Sequence, residues 1–319
     1  MKNKTDEMNN NYLKHITAGC MLAALAAAAM LATSCHKDIT AESKAVKISA
    51  DAVYPLSFSS GDAAGIFGYI HKTAAGLDKT DDRPDFFLGQ RLDLNGNSCT
   101  YSPEKYWPRT AGESISFIGY YPFADGDNGM EILDLNGADY ANGSVGLPCI
   151  KYTLPAGTSD IHEIAVSGIA TSAGDDINLA FSSVLANILI YISYDGIESA
   201  RPGISAIHLE RVKITGIFTS GIYDCSEKEW TSHSAKGTVK VDNGTLSDIV
   251  DIKDFAGTVT SESFPILPQT LPSEAAIVVS GSYDEYGITR TFTTSVPLSG
   301  EWTKKDTFAY GITINSDIL

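Results

Sequence analysis

Phe308-Ala309-Tyr310-Gly311-Ile312-Thr313-Ile314 decides the fold. Four large side chains alternate with Ala309, Gly311 and Thr313, a period of two that puts them on one face of a β-strand. The period recurs upstream. Ile115 and Phe117 alternate with Ser114 and Ser116, Val239 and Val241 repeat the pattern, and Phe292, Thr294 and Val296 do so again. Asn187-Ile188-Leu189-Ile190-Tyr191-Ile192 is apolar at nearly every position, the pattern of a central strand covered on both faces. Turn residues separate the runs: Gly61-Asp62, Asn95-Gly96, Pro155-Ala156-Gly157, Asp195-Gly196 and Asn243-Gly244. Helical periodicity is nearly absent after residue 34. Short strands with little helix predict an all-β chain built of β-sandwiches. Small and acidic residues at Ser172-Ala173-Gly174-Asp175 interrupt the apolar pattern. They set the expected boundary between an N-terminal sandwich over 51–172 and a C-terminal one over 173–319.

The start of the chain has a different character. Lys2, Lys4 and Lys14 precede Ile16 to Leu31, an uncharged run rich in Ala, Leu and Met. This is the charged region and apolar core of a secretory signal, and it is short for a membrane span. It ends in Leu31-Ala32-Thr33-Ser34-Cys35, which resembles the lipobox of bacterial lipoproteins. The resemblance implies that residues 1–34 are a lipoprotein signal peptide and that Cys35 is lipidated, anchoring the protein to a membrane outside the cytoplasm. Residues 35–50 then read as a polar tether leading into a first strand. Val46 and Ile48 share one face of that strand, flanked by Lys44 and Lys47.

The formal net charge is −16, and one net positive charge in residues 1–34 leaves −17 for the rest. Acidity of that size argues against nucleic acid as a partner. Of five cysteines, Cys20 and Cys35 belong to the signal region, leaving Cys99, Cys149 and Cys225. A dense disulfide framework is excluded, and the sequence leaves open whether Cys99 and Cys149 pair.

Groups that could carry chemistry are scattered. His162-Glu163 starts like a zinc-protease motif, but Val166 stands where the second histidine is needed. No Gly-x-Ser-x-Gly elbow is present. Asp125-Gly126-Asp127-Asn128-Gly129-Met130-Glu131 offers oxygen ligands without the spacing of an EF-hand loop. Asp81-Asp82, Asp175-Asp176 and Asp284-Glu285 are paired carboxylates in turn-like stretches, better read as solvated surface than as glycosidase machinery. Trp107 and Trp302 read as core residues, while Trp230, within Glu227-Lys228-Glu229-Trp230-Thr231, reads as more exposed. The expectation is a protein that is not an enzyme and holds no metal or cofactor.

Four stretches resemble the fimbrillin family of Bacteroidetes, the subunits of type V pili and their Mfa-like relatives. They are Phe58-Ser59-Ser60-Gly61-Asp62 through Ile66-Phe67-Gly68-Tyr69; Tyr106-Trp107-Pro108 with Ile115-Ser116-Phe117-Ile118-Gly119-Tyr120-Tyr121-Pro122; Phe181 to Ile192; and Phe264-Pro265-Ile266-Leu267-Pro268-Gln269-Thr270 with Trp302 and Tyr310-Gly311-Ile312-Thr313-Ile314. The resemblance implies two transthyretin-like β-sandwich domains. It also implies a pilus component (anchor, tip or stalk) or pilus-like adhesin at the outer membrane, on the cell surface or in a fimbrium. Its partners would be other fimbrillin-type subunits and a host or bacterial surface ligand. Maturation in the family implies cleavage at a basic residue near the first strand. With no Arg before Arg83, Lys44 and Lys47 are the candidates, and Val46 and Ile48 mark the strand that would be exchanged. The chain departs from the family pattern where Ser182 or Ser183 replaces a histidine, Asn187 replaces a lysine, and Lys304-Lys305-Asp306 follows Trp302. Because few residues follow Ile314, the expectation is a subunit that accepts a strand or caps a fibre. The alternative reading is a monomeric glycan-binding lipoprotein that captures nutrients with exposed aromatics.

Overall fold

Strands fill the molecule, as the period-two runs predict. The structure, a computed structural model, describes residues 44–242, 250–252 and 258–319. The expected signal peptide and the lipidation residue Cys35 lie outside the described residues.

In chain order the strands are β1 (Ile48–Ala52), β2 (Ala63–Lys72), β3 (Phe87–Asn95), β4 (Ser98–Thr100), β5 (Glu113–Tyr121), β6 (Met130–Leu133), β7 (Cys149–Thr153), β8 (Ala165–Ser167), β9 (Ala170–Ser172), β10 (Ile177–Ser183) and β11 (Ala186–Tyr194). They continue with β12 (Ile204–Asp224), β13 (Glu229–Val241), β14 (Val250–Ile252), β15 (Thr258–Thr260), β16 (Phe264–Ile266), β17 (Gln269–Thr270), β18 (Ala276–Glu285), β19 (Ile288–Pro297), β20 (Glu301–Trp302) and β21 (Thr307–Ile314). Among the described residues, helix is limited to a 3-10 turn at Thr158–Asp160 and one α-turn at Ile197–Ala200. No described helix is long and apolar enough to cross a membrane.

The first sheet closes on itself. Pairing runs β2-β3-β4-β1-β10-β8-β5 and returns from β5 to β2, with β9 added beside β5. Closure leaves few unpaired edges in this half. Its interior holds Ile48, Ala50, Ile66, Leu92, Ile115, Phe117, Leu179 and Phe181. Strands β2 and β5 are buried on both faces, because Phe67, Tyr69, Ile118 and Tyr120 point the other way into a second core. That is why Ser114 and Ser116, placed outward by simple alternation, are buried as well. Ser116 Oγ meets His71 Nε2 at 2.8 Å and Thr171 Oγ1 at 2.6 Å, so the buried hydroxyl has partners.

The second core lies between a small sheet and a large one. In the small sheet β11 has β21 parallel on one side and β15 and β16 antiparallel on the other. In the large sheet the 21-residue β12 pairs with β18, β7, β13 and β14, and β19 extends it through β18. Ile188, Ile190 and Ile192 of β11 share this core with Ile207, Leu209, Val212 and Ile214 of β12 and with Ile277 and Val279 of β18. Each such side chain, fully buried, contributes about 1.5–3 kcal/mol. The alternation of β21 holds: Ile312 and Ile314 are buried, Phe308 and Tyr310 half-buried, and Ala309, Gly311 and Thr313 exposed. For β11 the expectation of cover on both faces fails. Leu189 is half-buried and Tyr191 is 37% exposed, because among the described residues no layer covers that side. Apolar residues at the surface are common, so an apolar run alone does not imply two covered faces.

Sheet membership crosses residue 173 in both directions. Strand β10, after it, belongs to the closed first sheet, while β7, before it, pairs with β12. Strands β10 and β11 are separated only by Val184-Leu185, so the chain passes from one core to the other there. The 21-residue β12 bends at Gly216, where φ is +71° and a Cβ would stand 2.4 Å from the Glu274 carbonyl oxygen. Only glycine fits that bulge.

Candidate assembly site at the first strand

The sequence places the first strand around Ala45–Ile48; β1 starts later, at Ile48, and runs to Ala52, with Val46 and Lys47 in the extended lead-in before it. Val46, Ile48 and Ala50 are buried inside the closed sheet, while Lys47 between them is exposed. Period two is thus realised, with the apolar face inward.

The two flanks of β1 are unequal. Toward β10 it makes a five-residue parallel register, Ile48 to Ala52 against Ile177 to Phe181. This ladder is extended by Ile177 N–H donating to Lys47 O at 2.9 Å and Val53 N–H donating to Phe181 O at 2.8 Å. Toward β4 the register holds a single pair, Ser49 with Ser98. Contacts at either end hold the rest of that flank. Val46 N–H donates to Lys105 O at 2.9 Å, Ala50 N–H donates to Asn97 O at 3.0 Å, and the Tyr101 hydroxyl donates to Val46 O at 2.7 Å. Between these points a cleft of about 580 Å³ opens, lined by Lys47, Ser49, Ser98, Cys99, Thr100 and Glu104 among others.

The Asp51 carboxylate spans the strand. One oxygen accepts from Asn97 Nδ2 at 2.8 Å and the other from Asn178 Nδ2 at 2.7 Å. Asn97 leads into β4 and Asn178 lies in β10, so one side chain ties both neighbours to β1. Asp51, Asn97, Asn178 and Tyr101 were not singled out by the sequence. Asn97 follows a visible Asn-Gly turn, but nothing local shows that residues 51 and 178 meet.

Of the expected cleavage residues, Lys44 and Lys47 are both exposed. A cut after Lys44 leaves Val46, Ile48 and Ala50 in the chain, and a cut after Lys47 removes only Val46 from the core. Strand β21 contrasts with β1. Its eight residues pair in parallel with β11, and its other edge has no strand partner among the described residues.

The remaining candidates are dispersed. Trp107 is buried edge-on against Phe117, with ring centroids 6.0 Å apart. Trp302 is 1% exposed and donates from Nε1 to the Tyr310 hydroxyl at 2.8 Å. Asp125 accepts from Asp127 N–H at 3.2 Å and Asn128 donates to Phe123 O at 2.8 Å, so both cap their own turn. His162 is exposed. Glu163 beside it accepts from the Ser183 hydroxyl, and burial holds its carboxyl above the usual range. Cys99, Cys149 and Cys225 are free thiols, and burial raises Cys99 and Cys149 to about 11 each. Such thiols are weak nucleophiles.

The fold is similar to several solved structures. A fimbrial protein from Bacteroides vulgatus matches with a TM-score of 0.62 at 15% identity, over 86% of this chain and 96% of that one. Two proteins assigned to cell adhesion match with TM-scores of 0.51. The one from Bacteroides ovatus is 14% identical over 86% of this chain and 93% of its own, and the one from Bacteroides uniformis is 15% identical over 87% and 94%. Identities this low speak for the fold. No curated protein matches the chain. The family model described as fimbrillin-like matches residues 50–319, from within β1 to the last residue given. The chain therefore belongs to the fimbrillin-like family.

Proposed function

We propose that the protein is a lipid-anchored, cell-surface component of a pilus or pilus-like adhesin, joined to other fimbrillin-type subunits by strand addition. The role is adhesive and non-catalytic. Support comes from family membership and from the fimbrial and adhesive proteins that share the fold. Outer-membrane anchoring rests on Cys35 and the apolar run before it.

One observation carries the assembly mechanism. Strand β1 closes the first sheet, with one long ladder to β10 and a single register pair to β4. Loss of β1 exposes the unpaired edge of β10 and the apolar interior behind Ile48 and Ala50. An extended segment with alternating apolar residues satisfies both, by main-chain hydrogen bonds and by side chains in the vacated positions. A cut at Lys44 or Lys47 loosens the lead-in and leaves β1 in place, so the incoming strand must displace β1 from β4 first.

The test is made on outer membranes. After mild digestion with a Lys-specific protease, detergent-resistant higher-mass species containing this chain are expected from wild type, with lipid label retained on Cys35. The label should be lost in Cys35→Ala. A chain that stays monomeric before and after digestion, or label that survives Cys35→Ala, would contradict the reading.

A further inference from the structure

The β12–β13 ribbon carries a row of rings that strand addition leaves unused. Strand β13 contains two non-glycine residues in the left-handed region, Ser232 with φ +52° and Ala235 with φ +56°. The register accounts for Ser232. Thr231 pairs with Ile222 and Ser234 with Ser220, so Ser232 and His233 together oppose Gly221. The extra residue turns His233 onto the same face as Trp230, where plain alternation would set them apart. Gly221 leaves the space for both: a Cβ there would stand 3.2 Å from the Trp230 ring and 3.4 Å from the His233 ring. Phe218 continues the row, with its centroid 5.8 Å from that of His233.

These rings are fixed and half-exposed. Trp230 Nε1 donates to Val184 O at 2.6 Å, and His233 Nε2 lies 2.7 Å from Pro268 O. Both polar edges are thus tied down, and the three rings line a cleft of about 570 Å³. That volume suits a small ligand. Trp302 and Gln269 form the floor, and Glu229, Thr270, Glu301 and Thr303 stand on the rim. Two lysines nearby are committed. Lys304 Nζ contacts Glu229 at 3.2 Å and the Lys228 carbonyl, and Lys236 pairs with Glu274. The Glu301 carboxylate has no ion pair among the described residues. Left-handed non-glycine residues cost about 1–3 kcal/mol each and gather at functional sites.

We propose that this cleft binds a neutral saccharide, stacked on Trp230, His233 and Phe218 and held through its hydroxyls by Glu301, Thr270 and Thr303. Aromatic faces complement the C–H face of a sugar ring, while carboxylate and hydroxyl oxygens take its hydroxyl protons. An anionic ligand would meet Glu301 and Glu229, and Lys304, the lysine that lines the cleft, is already paired with Glu229. The ligand class deepens the adhesive reading and rests on it for its biological setting, but the binding is independent of assembly.

The full chain, purified in detergent, is applied to a glycan microarray of neutral, sialylated and sulfated oligosaccharides. Binding to neutral glycans is expected. For the strongest of them, titration calorimetry should show Kd raised at least tenfold in His233→Ala and in Glu301→Gln, the latter a surface change that leaves folding intact. No binding to neutral glycans, or binding that Glu301→Gln and His233→Ala both leave unchanged, overturns the proposal. A chain that binds sugar and never joins a fibre leaves it standing, while a fibre-forming chain blind to glycans overturns the cleft alone.

Discussion

The first and last strands make an instructive pair. Strand β1 runs parallel to β10 and β21 runs parallel to β11, and those two central strands are consecutive in the chain. Yet β1 is flanked on both sides and closes a sheet, while β21 has one partner and a free edge among the described residues. The longer ladder belongs to the edge strand, with eight register pairs against five. Ladder length therefore does not measure how much of the fold depends on a strand. The side chains that β1 places inside the first sheet, and the edges it leaves if removed, do.

A charge separates the two strands most sharply. Ile48→Asp puts a carboxylate into an apolar interior with no partner, and should cost about 4 kcal/mol or more. Ala309→Asp, on the exposed face of β21, should cost within about 1 kcal/mol. Urea unfolding of both variants measures the difference, and equal losses would break the comparison.

The clamp across β1 gives a smaller effect. Asp51→Ala removes both acceptors used by Asn97 and Asn178, and should cost about 1–2 kcal/mol in the same assay. Amide hydrogen exchange should then quicken in β4 and β1 while β21 is unchanged. A uniform increase across the molecule would place the clamp's effect elsewhere.

The smallest effect lies at the junction both strands depend on. Glu163 receives the Ser183 hydroxyl at the end of β10, and burial raises its carboxyl above the usual range. A raised folded-state value means the folded protein holds its proton to higher pH than the unfolded chain does. Stability from this group is full below the unfolded value and is lost as pH rises through the folded one. Glu163→Gln should therefore be modestly more stable than wild type at pH 7, with the gain vanishing under acid conditions. A gain that grows as pH falls would refute the burial account.

Local pattern made much of this legible. Alternation at Phe308–Ile314 names β21 and its buried face, and Val46 and Ile48 name the inner face of the first strand. Parallel partners were not legible, since residues 48 and 177 meet only through the whole intervening sheet. The Asp51 clamp was missed for the same reason. The union of Trp230 with His233 was hidden by the bulge at Ser232, a residue that carries no turn signal of the glycine kind. Strand β11 misled in the other direction: Tyr191 looked buried by composition, and among the described residues no layer lies over it.

The slot at β1 can be measured directly. A chain beginning at Val53 is mixed with a fluorescent peptide of residues 44–52, and binding is followed by anisotropy. Saturable binding is expected, lost with an Ile48→Asp peptide and accompanied by protection of β10 amides from exchange. A peptide that fails to bind a folded acceptor, or binds equally well with Asp at position 48, would contradict strand addition at this site.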